Sequence, residues 1–292
     1  MNPNARAAPS AGQEPLFAGE FSFTGGDFET IAGILQERAG ISLPATKGVL
    51  VYARLVKRLR LLGLESFSDY CALLTEPGGE EESEVVLRAL TTNVTRFFRE
   101  PHHFDDLYHQ LVDLAPDVRA GGRLRLWSAG CSTGQEPYSM AMTVLSVFPD
   151  ATALDIKILA SDIDTDVLET GRLALYQEEE LDAVPANLRG DLERSTGGIW
   201  RVGAAARDLV TFKALNLNAA VWPMSGGFQV IFCRNVAIYF DDLTQERLWR
   251  RFGPLTTPNG RLYVGHSERV DDPAFQSCGL TTYRRLPMGA RP

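Results

Sequence analysis

The sequence is poor in cysteine and in basic residues, and it contains no long apolar run. Its four cysteines, Cys71, Cys131, Cys233 and Cys278, lie far apart and form no CxxC pair. This spacing predicts neither a zinc site nor a disulfide framework, and we expect reduced, mostly buried thiols. The 292 residues carry a formal net charge of -8, which argues against a nucleic-acid partner because phosphate contacts need a basic surface.

No apolar segment approaches the roughly 20 residues that a helix needs to cross a bilayer. We therefore expect a soluble, cytoplasmic protein with no direct membrane insertion. Residues 1–26 are rich in Pro, Ala, Ser and Gly and lack the apolar run of a signal peptide, so we interpret them as a flexible leader. A hydrophobic fraction of 45% suits a globular chain of this length with two modest cores.

Residues 27–92 have the hydrophobic spacing of a helical domain. Asp27 is predicted to be the N-cap of a first helix, in which Phe28, Ile31 and Leu35 share one face. The regular apolar spacing within this segment predicts a helical N-terminal domain that ends near residue 92.

Residues 47–64 form the one part of this domain that concentrates positive charge, since they include no acidic residue. Val51, Leu55 and Leu59 recur on one face of the predicted helix. The basic side chains beside that face are Lys47, Arg54, Lys57 and Arg58. The pattern alone allows either a solvated helix face or a surface that docks an acidic partner.

After residues 93–122, interpreted as an interdomain linker and helix, strands alternate with helices. The predicted strands are residues 123–127, 156–160, 229–233 and 261–265, and the predicted helices start near Glu136 and Thr165 and span 243–252. Residues 123–292 therefore predict a mostly parallel α/β sheet with any ligand at the carboxyl ends of its strands. The alternation lapses after Tyr176, so we expect a small inserted unit at about 177–212.

A loop containing Gly130 and Gly134 follows the first predicted strand, where glycine lets the backbone approach a ligand closely. Glu136 starts the next helix and would repel a pyrophosphate, which disfavours a nicotinamide dinucleotide. The same carboxylate suits a ligand with an ammonium group and no phosphate. Asp162 ends the next strand, where a carboxylate can accept hydrogen bonds from ribose hydroxyls, although it could instead cap the following helix.

Five stretches, in chain order, resemble the CheR chemotaxis methyltransferases. They are residues 91–100 (TTNVTRFFRE), 127–139 (WSAGCSTGQEPYS), 160–164 (ASDID), 232–240 (FCRNVAIYF) and 265–268 (GHSE). Residues 39–64 are also similar to the helical domain of that family, so only the leader lies outside the resemblance. The resemblance implies an α/β class I methyltransferase with a Rossmann-like sheet, an N-terminal all-helical domain and a small antiparallel β insertion.

The resemblance also implies S-adenosyl-L-methionine as the cofactor, with no metal. The residues that match the family's cofactor contacts are Asn93, Thr95, Arg99, Gly130, Glu136, Asp162, Asn216, Leu217, Arg234 and Asn235. Arg99 is expected to meet the methionine carboxylate through a two-pronged contact. Glu136 and Asp162 take the amino-acid and ribose roles, while Asn216 and Leu217 are expected at the adenine.

The implied activity is that of a protein-glutamate O-methyltransferase acting on the cytoplasmic domain of methyl-accepting chemotaxis receptors. Its products are glutamate methyl esters and S-adenosyl-L-homocysteine. No general base is required, because a glutamate carboxylate is already ionised near neutral pH. Arg234, Tyr138 and Tyr239 are candidates for orienting that carboxylate, although the tyrosines could equally be packing groups. The alternatives are a methyltransferase with another acceptor and a non-catalytic SAM-binding regulatory module.

In this family a basic helix contacts the acidic, methylatable helices of the receptor. The resemblance therefore makes Lys47, Arg54, Lys57 and Arg58 the expected docking residues. Family members that bind a receptor's C-terminal peptide carry a GxGxxxG loop in the inserted subdomain, where the peptide adds a strand. Residues 194–202 (RSTGGIWRV) lack that spacing. We therefore expect an enzyme without a C-terminal pentapeptide tether.

Overall fold

The computed structural model describes residues 16–17 and 19–287, and the chain divides after Thr92 into two compact units. The second unit begins at Asn93. The segment 93–122, predicted to link two domains, is therefore part of the second unit. Its helix contributes Leu107 and Leu111 to that unit's core, and neither side chain is exposed.

The first unit is helical, as the hydrophobic spacing predicts. Its helices are α1 (Gly25–Ala39), α2 (Gly48–Leu62), α3 (Phe67–Thr75) and α4 (Glu80–Leu90). The prediction that Asp27 caps α1 is wrong, because Thr24 is the N-cap. The Thr24 hydroxyl accepts a hydrogen bond from Asp27 N at 3.2 Å, and the Asp27 carboxylate accepts one from Thr24 N at 2.8 Å. Both residues thus belong to a capping box.

The apolar face of α2 forms the centre of the first unit's core. Val51, Leu55 and Leu59 follow one another by one helical turn and have no exposed surface. Phe23, which precedes α1, is also fully buried, with its ring centroid 4.5 Å from that of Phe67. The predicted leader is therefore too long at its carboxyl end, while residues 1–15 and 18 lie outside the described residues.

The second unit is built on a seven-stranded sheet flanked by helices. The helices are α5 (His102–Arg119), α6 (Gln135–Val147), α7 (Thr165–Leu173), α8 (Ala204–Leu209) and α9 (Asp242–Leu255). The strands, in chain order, are β1 (Leu124–Ala129), β2 (Ile156–Asp162), β3 (Leu175–Gln177), β4 (Leu192–Arg194), β5 (Ile199–Val202), β6 (Val210–Ala214), β7 (Phe228–Cys233), β8 (Thr256–Val264), β9 (Phe275–Gly279) and β10 (Thr282–Arg285).

The large sheet has the strand order β6-β2-β1-β7-β8-β10-β9. Its first five strands are parallel, and β10 runs antiparallel to both of its neighbours, β8 and β9. From β1 the chain moves outwards to β2 and β6 and then returns to β7, so the strand order reverses between β1 and β7. Sheets of this kind bind ligands at that reversal, beyond the carboxyl ends of the strands, a side that we name the carboxyl edge.

A separate three-stranded antiparallel sheet, in the order β3-β5-β4, lies between α7 and α8 in the chain. It confirms the expected small antiparallel insertion. The predicted bounds of 177–212 were wrong at the carboxyl end, because Val210–Ala214 is a strand of the large sheet. That strand buries one side chain in five, so its sequence lacks the apolar run by which the other strands are recognised.

The four cysteines are free, and Cys71, Cys131 and Cys233 are buried, as the sequence predicts. Among the helices of the described ranges, none combines the length and the apolar character needed to span a membrane.

Candidate cofactor and active site

The loop after β1 crosses the carboxyl edge with three residues in the left-handed backbone region. The φ angles are 87° at Gly130, 49° at Ser132 and 98° at Gly134. A β-carbon at Gly134 would lie 2.8 Å from the Tyr176 hydroxyl and 3.1 Å from the Gly171 Cα. Glycine is therefore required at this position both by backbone angle and by space.

Asp162 lies at the carboxyl end of β2, facing this loop. Its carboxylate accepts hydrogen bonds from Ser132 N at 2.8 Å and Asp164 N at 3.0 Å. Burial raises the pKa of Asp162, because these backbone groups only partly replace water around the charge. The N-cap of α7 is Asp164, which accepts from Asp166 N at 2.9 Å. Asp162 is therefore not the helix cap that the sequence left open.

Asn93, the first residue of the second unit, connects the loops after β1 and β2. Its Nδ2 donates to Asp164 Oδ2 at 2.9 Å, and its carbonyl accepts from the Ser132 hydroxyl at 2.9 Å. Thr95 follows and is partly buried. Asn93 and Asp162 therefore both contact Ser132, in the loop after β1, so these two predicted cofactor residues lie close together.

Arg234 follows β7 and is a buried cation with 5% exposure. Its Nη1 lies 3.2 Å from Glu136 Oε2, and its Nη2 lies 3.5 Å from Glu100 Oε2 and donates to the Arg99 carbonyl. The other oxygen of Glu136 accepts from the Ser128 hydroxyl at 2.8 Å. One guanidinium thus holds two carboxylates and fixes the backbone beside Arg99.

These contacts set the charge of the site. Burial raises the pKa of Glu136, against the opposing effect of Arg234. Burial alone would also raise the pKa of Glu100, but Arg234 and His266 hold it below its ordinary value. Two carboxylates facing one guanidinium favour a further cationic group, and an ammonium fits this need.

The role predicted for Arg234 in orienting an acceptor carboxylate does not fit this arrangement. Both of its Nη atoms are occupied by protein oxygens, and Glu136 and Glu100 would repel an incoming carboxylate. We therefore assign Arg234 to holding Glu136 and the backbone of residue 99.

Tyr138 is likewise corrected, since it lies in the core at 1% exposure. Its hydroxyl donates to the Gly171 carbonyl at 2.8 Å, and its ring lies against Phe212 with a centroid separation of 5.8 Å. Burial raises the pKa of the Tyr138 hydroxyl above the ordinary value of tyrosine. Tyr138 is the packing group that the sequence analysis left as an alternative. Tyr239 is partly buried in a 3₁₀ turn after β7, and its role stays a prediction.

Arg99 lies between two residues in the left-handed region, Phe98 with φ 48° and Glu100 with φ 56°. Such angles are strained for residues other than glycine, and they occur most often where a side chain is held for a function. Arg99 is partly buried, and its Nη1 donates to the Val94 carbonyl at 3.2 Å. Its predicted contact with a ligand carboxylate remains a prediction.

Asn216 and Leu217 follow β6, in a loop that starts beside Asp162. Leu215 N donates to the Asp162 carbonyl at 2.9 Å, and Asn216 Oδ1 accepts from Asn218 N at 2.8 Å. Leu217 is 9% exposed and packs in an apolar cluster that includes Trp127 and Trp222. The register of the sheet therefore places the predicted ribose and adenine residues on adjacent strands.

Asn235 follows Arg234 with φ 59°, and its backbone N–H donates to Glu268 Oε2 at 2.8 Å. Glu268 was not among the predicted site residues. Sequence reasoning also missed Ser128, Ser132 and Glu100. Each of these four residues lies inside one of the five motifs quoted above, and that position was the only sign in the sequence that it belongs to the site. The hydrogen-bond and ion-pair partners of each residue become visible only in the folded chain.

His102 and His103 begin α5 beside Glu100, and the ligating atoms of these three side chains lie within 4.8 Å of one another. No other cluster of metal-ligating type is found in residues 16–17 and 19–287. The Arg234 guanidinium already faces the Glu100 carboxylate at 3.5 Å, and it would repel a metal ion there. The expectation of no metal cofactor stays a prediction.

The four predicted docking residues of the first unit differ in their partners. Arg58 is bound at both ends of its guanidinium by Glu82, at 2.8 Å and 2.5 Å, and is neutralised. Arg54 donates to the carbonyls of residues 89 and 91 at the end of α4, so it keeps its net charge. Lys47 and Lys57 are exposed. The predicted docking role does not fit Arg58, because its charge is already satisfied within the unit.

The polar groups at the carboxyl edge fit S-adenosyl-L-methionine. Asp162 offers a buried carboxylate with only backbone donors around it, which suits ribose hydroxyls. The pair of carboxylates around Arg234 suits an ammonium, and the glycine at position 130 lets the backbone approach the ligand. Glu136 lies in the first turn of α6, where its carboxylate disfavours a phosphate group.

Comparison with known proteins places this geometry in a family. Residues 93–284 match the family model described as "CheR methyltransferase, SAM binding domain", and residues 26–91 match "CheR methyltransferase, all-alpha domain". A probable chemotaxis protein methyltransferase of Rhizobium etli is 47% identical over 264 residues, which cover 88% of this chain and 98% of that protein.

Two further relatives are both called chemotaxis protein methyltransferase. The one from Klebsiella aerogenes is 45% identical, with 88% of each chain covered. The one from Escherichia coli is 44% identical, with 88% of this chain and 89% of that protein covered. Together with the two matched domains and the carboxylates at the carboxyl edge, these matches show that the chain belongs to the CheR methyltransferase family, with a SAM-binding methyltransferase domain behind an all-helical one.

Proposed function

We propose that this protein methylates glutamate side chains on the cytoplasmic domain of chemotaxis receptors and acts in the cytoplasm. The products are glutamate methyl esters and S-adenosyl-L-homocysteine. The observation that carries the proposal is the pairing of Asp162 with the Glu136–Arg234–Glu100 group on one sheet edge, in a chain whose relatives are called chemotaxis protein methyltransferases.

Each end of the cofactor has a proposed partner. Asp162 accepts hydrogen bonds from the ribose hydroxyls, and Asn216 and Leu217 meet the adenine. Glu136 receives the ammonium group, while Arg99 binds the methionine carboxylate. Asn93, Thr95, Gly130 and Asn235 line the remaining contacts.

When bound, S-adenosyl-L-methionine supplies a methyl group that is already activated by a positive sulfonium. The protein then has to align an ionised glutamate with that methyl group and exclude water, and it needs no proton acceptor. Tyr239, partly buried after β7, is the remaining candidate for orienting the glutamate.

Receptor docking is proposed for Lys47, which immediately precedes α2, and for Arg54 and Lys57 within α2. The methylated face of a receptor is rich in carboxylates, so docking would be favoured by opposite charge and weakened by salt. The β4–β5 turn, residues 195–198, lacks the glycine spacing of peptide-binding relatives. We propose that recognition proceeds without a C-terminal pentapeptide.

The test is incubation with methyl-labelled S-adenosyl-L-methionine and a panel of receptor cytoplasmic domains, each with and without its last five residues. Mild base then releases methyl esters as volatile methanol. We expect labelled methanol from at least one domain, equally from its truncated form. An Asp162→Asn variant should lose activity, and an Asp117→Asn variant, changed at an exposed site in α5, should keep it.

Base-stable label on another protein would instead support a methyltransferase with a different acceptor. Tight binding of S-adenosyl-L-homocysteine with no transfer to any acceptor would support a regulatory module. A rate that falls on removal of the last five receptor residues, or binding of the pentapeptide in calorimetry, would contradict the proposal of no tether.

A further inference from the structure

Glu268 is a buried carboxylate near the carboxyl edge that the proposed mechanism does not use. It lies in the turn after β8, in the motif GHSE, and is 3% exposed. Its own N–H donates to the Gly265 carbonyl at 2.9 Å, which closes the turn. A charged side chain buried to this degree needs partners for both oxygens.

Four backbone N–H groups supply those partners. Oε2 accepts from Asn235 at 2.8 Å and from Gly265 at 2.5 Å. Oε1 accepts from Val236 at 2.9 Å and from Ile238 at 3.2 Å. Three of the four donors belong to the loop 235–238 after β7, and the fourth belongs to the loop after β8.

Only the second half of this loop belongs to regular structure, because a 3₁₀ turn begins at Ala237. Asn235 has a left-handed φ of 59°, a conformation that asparagine adopts more readily than most residues but that still needs support from its surroundings. Its side chain also packs closely on the next loop, because a β-carbon at Gly265 would lie 2.5 Å from Asn235 Nδ2. The carboxylate of Glu268 supports this conformation by accepting from three N–H groups of the loop, as an anion does in a backbone nest.

The loop held in this way carries predicted site residues. Asn235 is a predicted cofactor contact, and Arg234, immediately before it, holds Glu136. Tyr239, immediately after the loop, is the remaining candidate for orienting the acceptor. The position of all three depends on the conformation of residues 235–238.

We propose that Glu268 is a positioning residue for methyl transfer, which fixes the loop 235–238 between the cofactor and the acceptor. The claim about the reaction rests on the function proposed above. The claim about the loop does not, because it concerns backbone contacts and cofactor affinity, both of which can be measured without a receptor.

Glu268→Gln is the sharpest test, since it keeps the shape and removes the charge. Whichever way the amide is turned, its NH₂ group would face two N–H donors, so two of the four hydrogen bonds are lost. We expect affinity for S-adenosyl-L-homocysteine, measured by calorimetry, to fall about tenfold, and kcat to fall by roughly ten- to a hundredfold. The KM for the receptor should stay unchanged, because the docking residues lie in the other unit.

Hydrogen exchange provides the readout that a general loss of stability does not reproduce. The amides of Asn235, Val236 and Ile238 should exchange faster in Glu268→Gln than in the wild type, under conditions where the rest of the sheet stays protected. Val118→Ala, which opens a cavity in the core beside α5, serves as the matched control. It should lower the unfolding temperature without changing these amides, the cofactor affinity or kcat.

Glu268→Asp retains the charge but shortens the side chain, and it replaces Glu268→Gln in these measurements if that variant does not fold. We expect Glu268→Asp to show a smaller loss of cofactor affinity, kcat and amide protection. The proposal is overturned if either folded variant keeps wild-type affinity, kcat and amide protection. It is also overturned if activity falls only in proportion to the unfolded fraction, as expected for Val118→Ala. If the wild type methylates no receptor, the proposed function fails, and cofactor affinity and amide exchange still decide the role of Glu268.

Discussion

Gly130 has a backbone φ of 87°, and a β-carbon built on it would lie 2.2 Å from Val236 Cγ2. Two separate penalties therefore act on any substitution, the left-handed angle and the collision. Val236 belongs to the loop 235–238, so the collision would displace both that loop and the loop after β1, and each carries predicted cofactor contacts. Gly121 has a similar φ of 94° and open space around it, with nothing within 4 Å of the same atom.

We expect Gly130→Ala to lower the free energy of unfolding by more than Gly121→Ala does. The left-handed angle should cost each variant about 1 kcal/mol, and the collision should add about 1–3 kcal/mol at Gly130 alone. Urea unfolding and binding of S-adenosyl-L-homocysteine measure the two effects. Equal stability and equal affinity in the two variants would mean that the loop after β1 can shift at little energetic cost and that its conformation does not determine cofactor binding.

At this scale the sequence predicted the chemical types well and the partners poorly. Asp162 was recognisable as a strand-end carboxylate, because position and residue type are both visible in the sequence. Its distinction from Asp164, the true cap, required the backbone. Arg234 was a candidate site residue because it lies in a family motif, but its contacts with Glu136 and Glu100 join segments far apart in the chain, and no local pattern encodes such pairs.

Among the helices, α2 combines two kinds of basic residue on one surface. Arg58 is held by Glu82, which also accepts from the Tyr70 hydroxyl at 2.6 Å. Burial alone would raise the pKa of Glu82, but its hydrogen bonds with Arg58 and Tyr70 lower it. Lys57, the neighbour of Arg58, is exposed. The two residues should therefore respond differently to charge reversal.

We expect Lys57→Glu to leave stability nearly unchanged and to raise the receptor KM, with a weaker dependence of the rate on salt. Arg58→Glu should instead lower the free energy of unfolding by about 1–3 kcal/mol, since it replaces the ion-pair partner of Glu82 with a like charge. Methylation kinetics over a salt series and thermal unfolding separate the two. Lys157→Glu, at an exposed site early in β2, is the control with the same change of charge, and it should alter neither.

An equal KM for Lys57→Glu and Lys157→Glu would remove α2 from the proposed docking surface. Arg58→Glu of wild-type stability would mean that the pair with Glu82 is not formed in solution.

For the molecule as a whole, one buried histidine gives stability a dependence on pH. His103 has no exposed surface, and its Nε2 lies 2.9 Å from Thr281 Oγ1. Burial, with the charges of Arg234 and His102, lowers the pKa of His103 to about 3, against the weaker opposing effect of Glu100. In the unfolded chain the pKa returns to about 6.5.

Between these two values the unfolded chain binds one proton more than the folded chain, so stability falls as the pH falls from 6.5 towards 3. The limiting slope for one proton is about 1.4 kcal/mol per pH unit. We expect His103→Gln to reduce the slope of the unfolding free energy between pH 4 and 6, measured by urea titrations, by up to that amount. His109→Gln, at an exposed histidine of α5, should keep the wild-type slope, and a shared slope in all three proteins would contradict the assignment.

At the same scale, the architecture was predictable because periodicity is a local property. Helices α1 and α2 and strands β1, β2 and β7 were each located from spacing alone, whereas α3 and α4 were covered only by the general prediction of a helical domain. Strand β6 was missed, because it buries one side chain, and the structured part of the leader was missed because Phe23 is buried by a distant residue, Phe67. What could not be predicted is therefore what depends on contacts between distant segments.

The small sheet enters and leaves the fold at one point, where Val202 N donates to the Ala174 carbonyl at 3.0 Å. A segment whose two ends are neighbours can be lengthened, shortened or exchanged without moving the strands on either side. The exceptions are Tyr176, whose hydroxyl donates to the Thr133 carbonyl at 2.7 Å, Glu180, which accepts from Gln135 Nε2 at 3.1 Å, and Leu181 and Val184, which are buried in the core beside the large sheet. During divergence, a lineage could thus gain or lose a receptor attachment in this segment while keeping these contacts, and the carboxyl edge of the large sheet would stay unchanged.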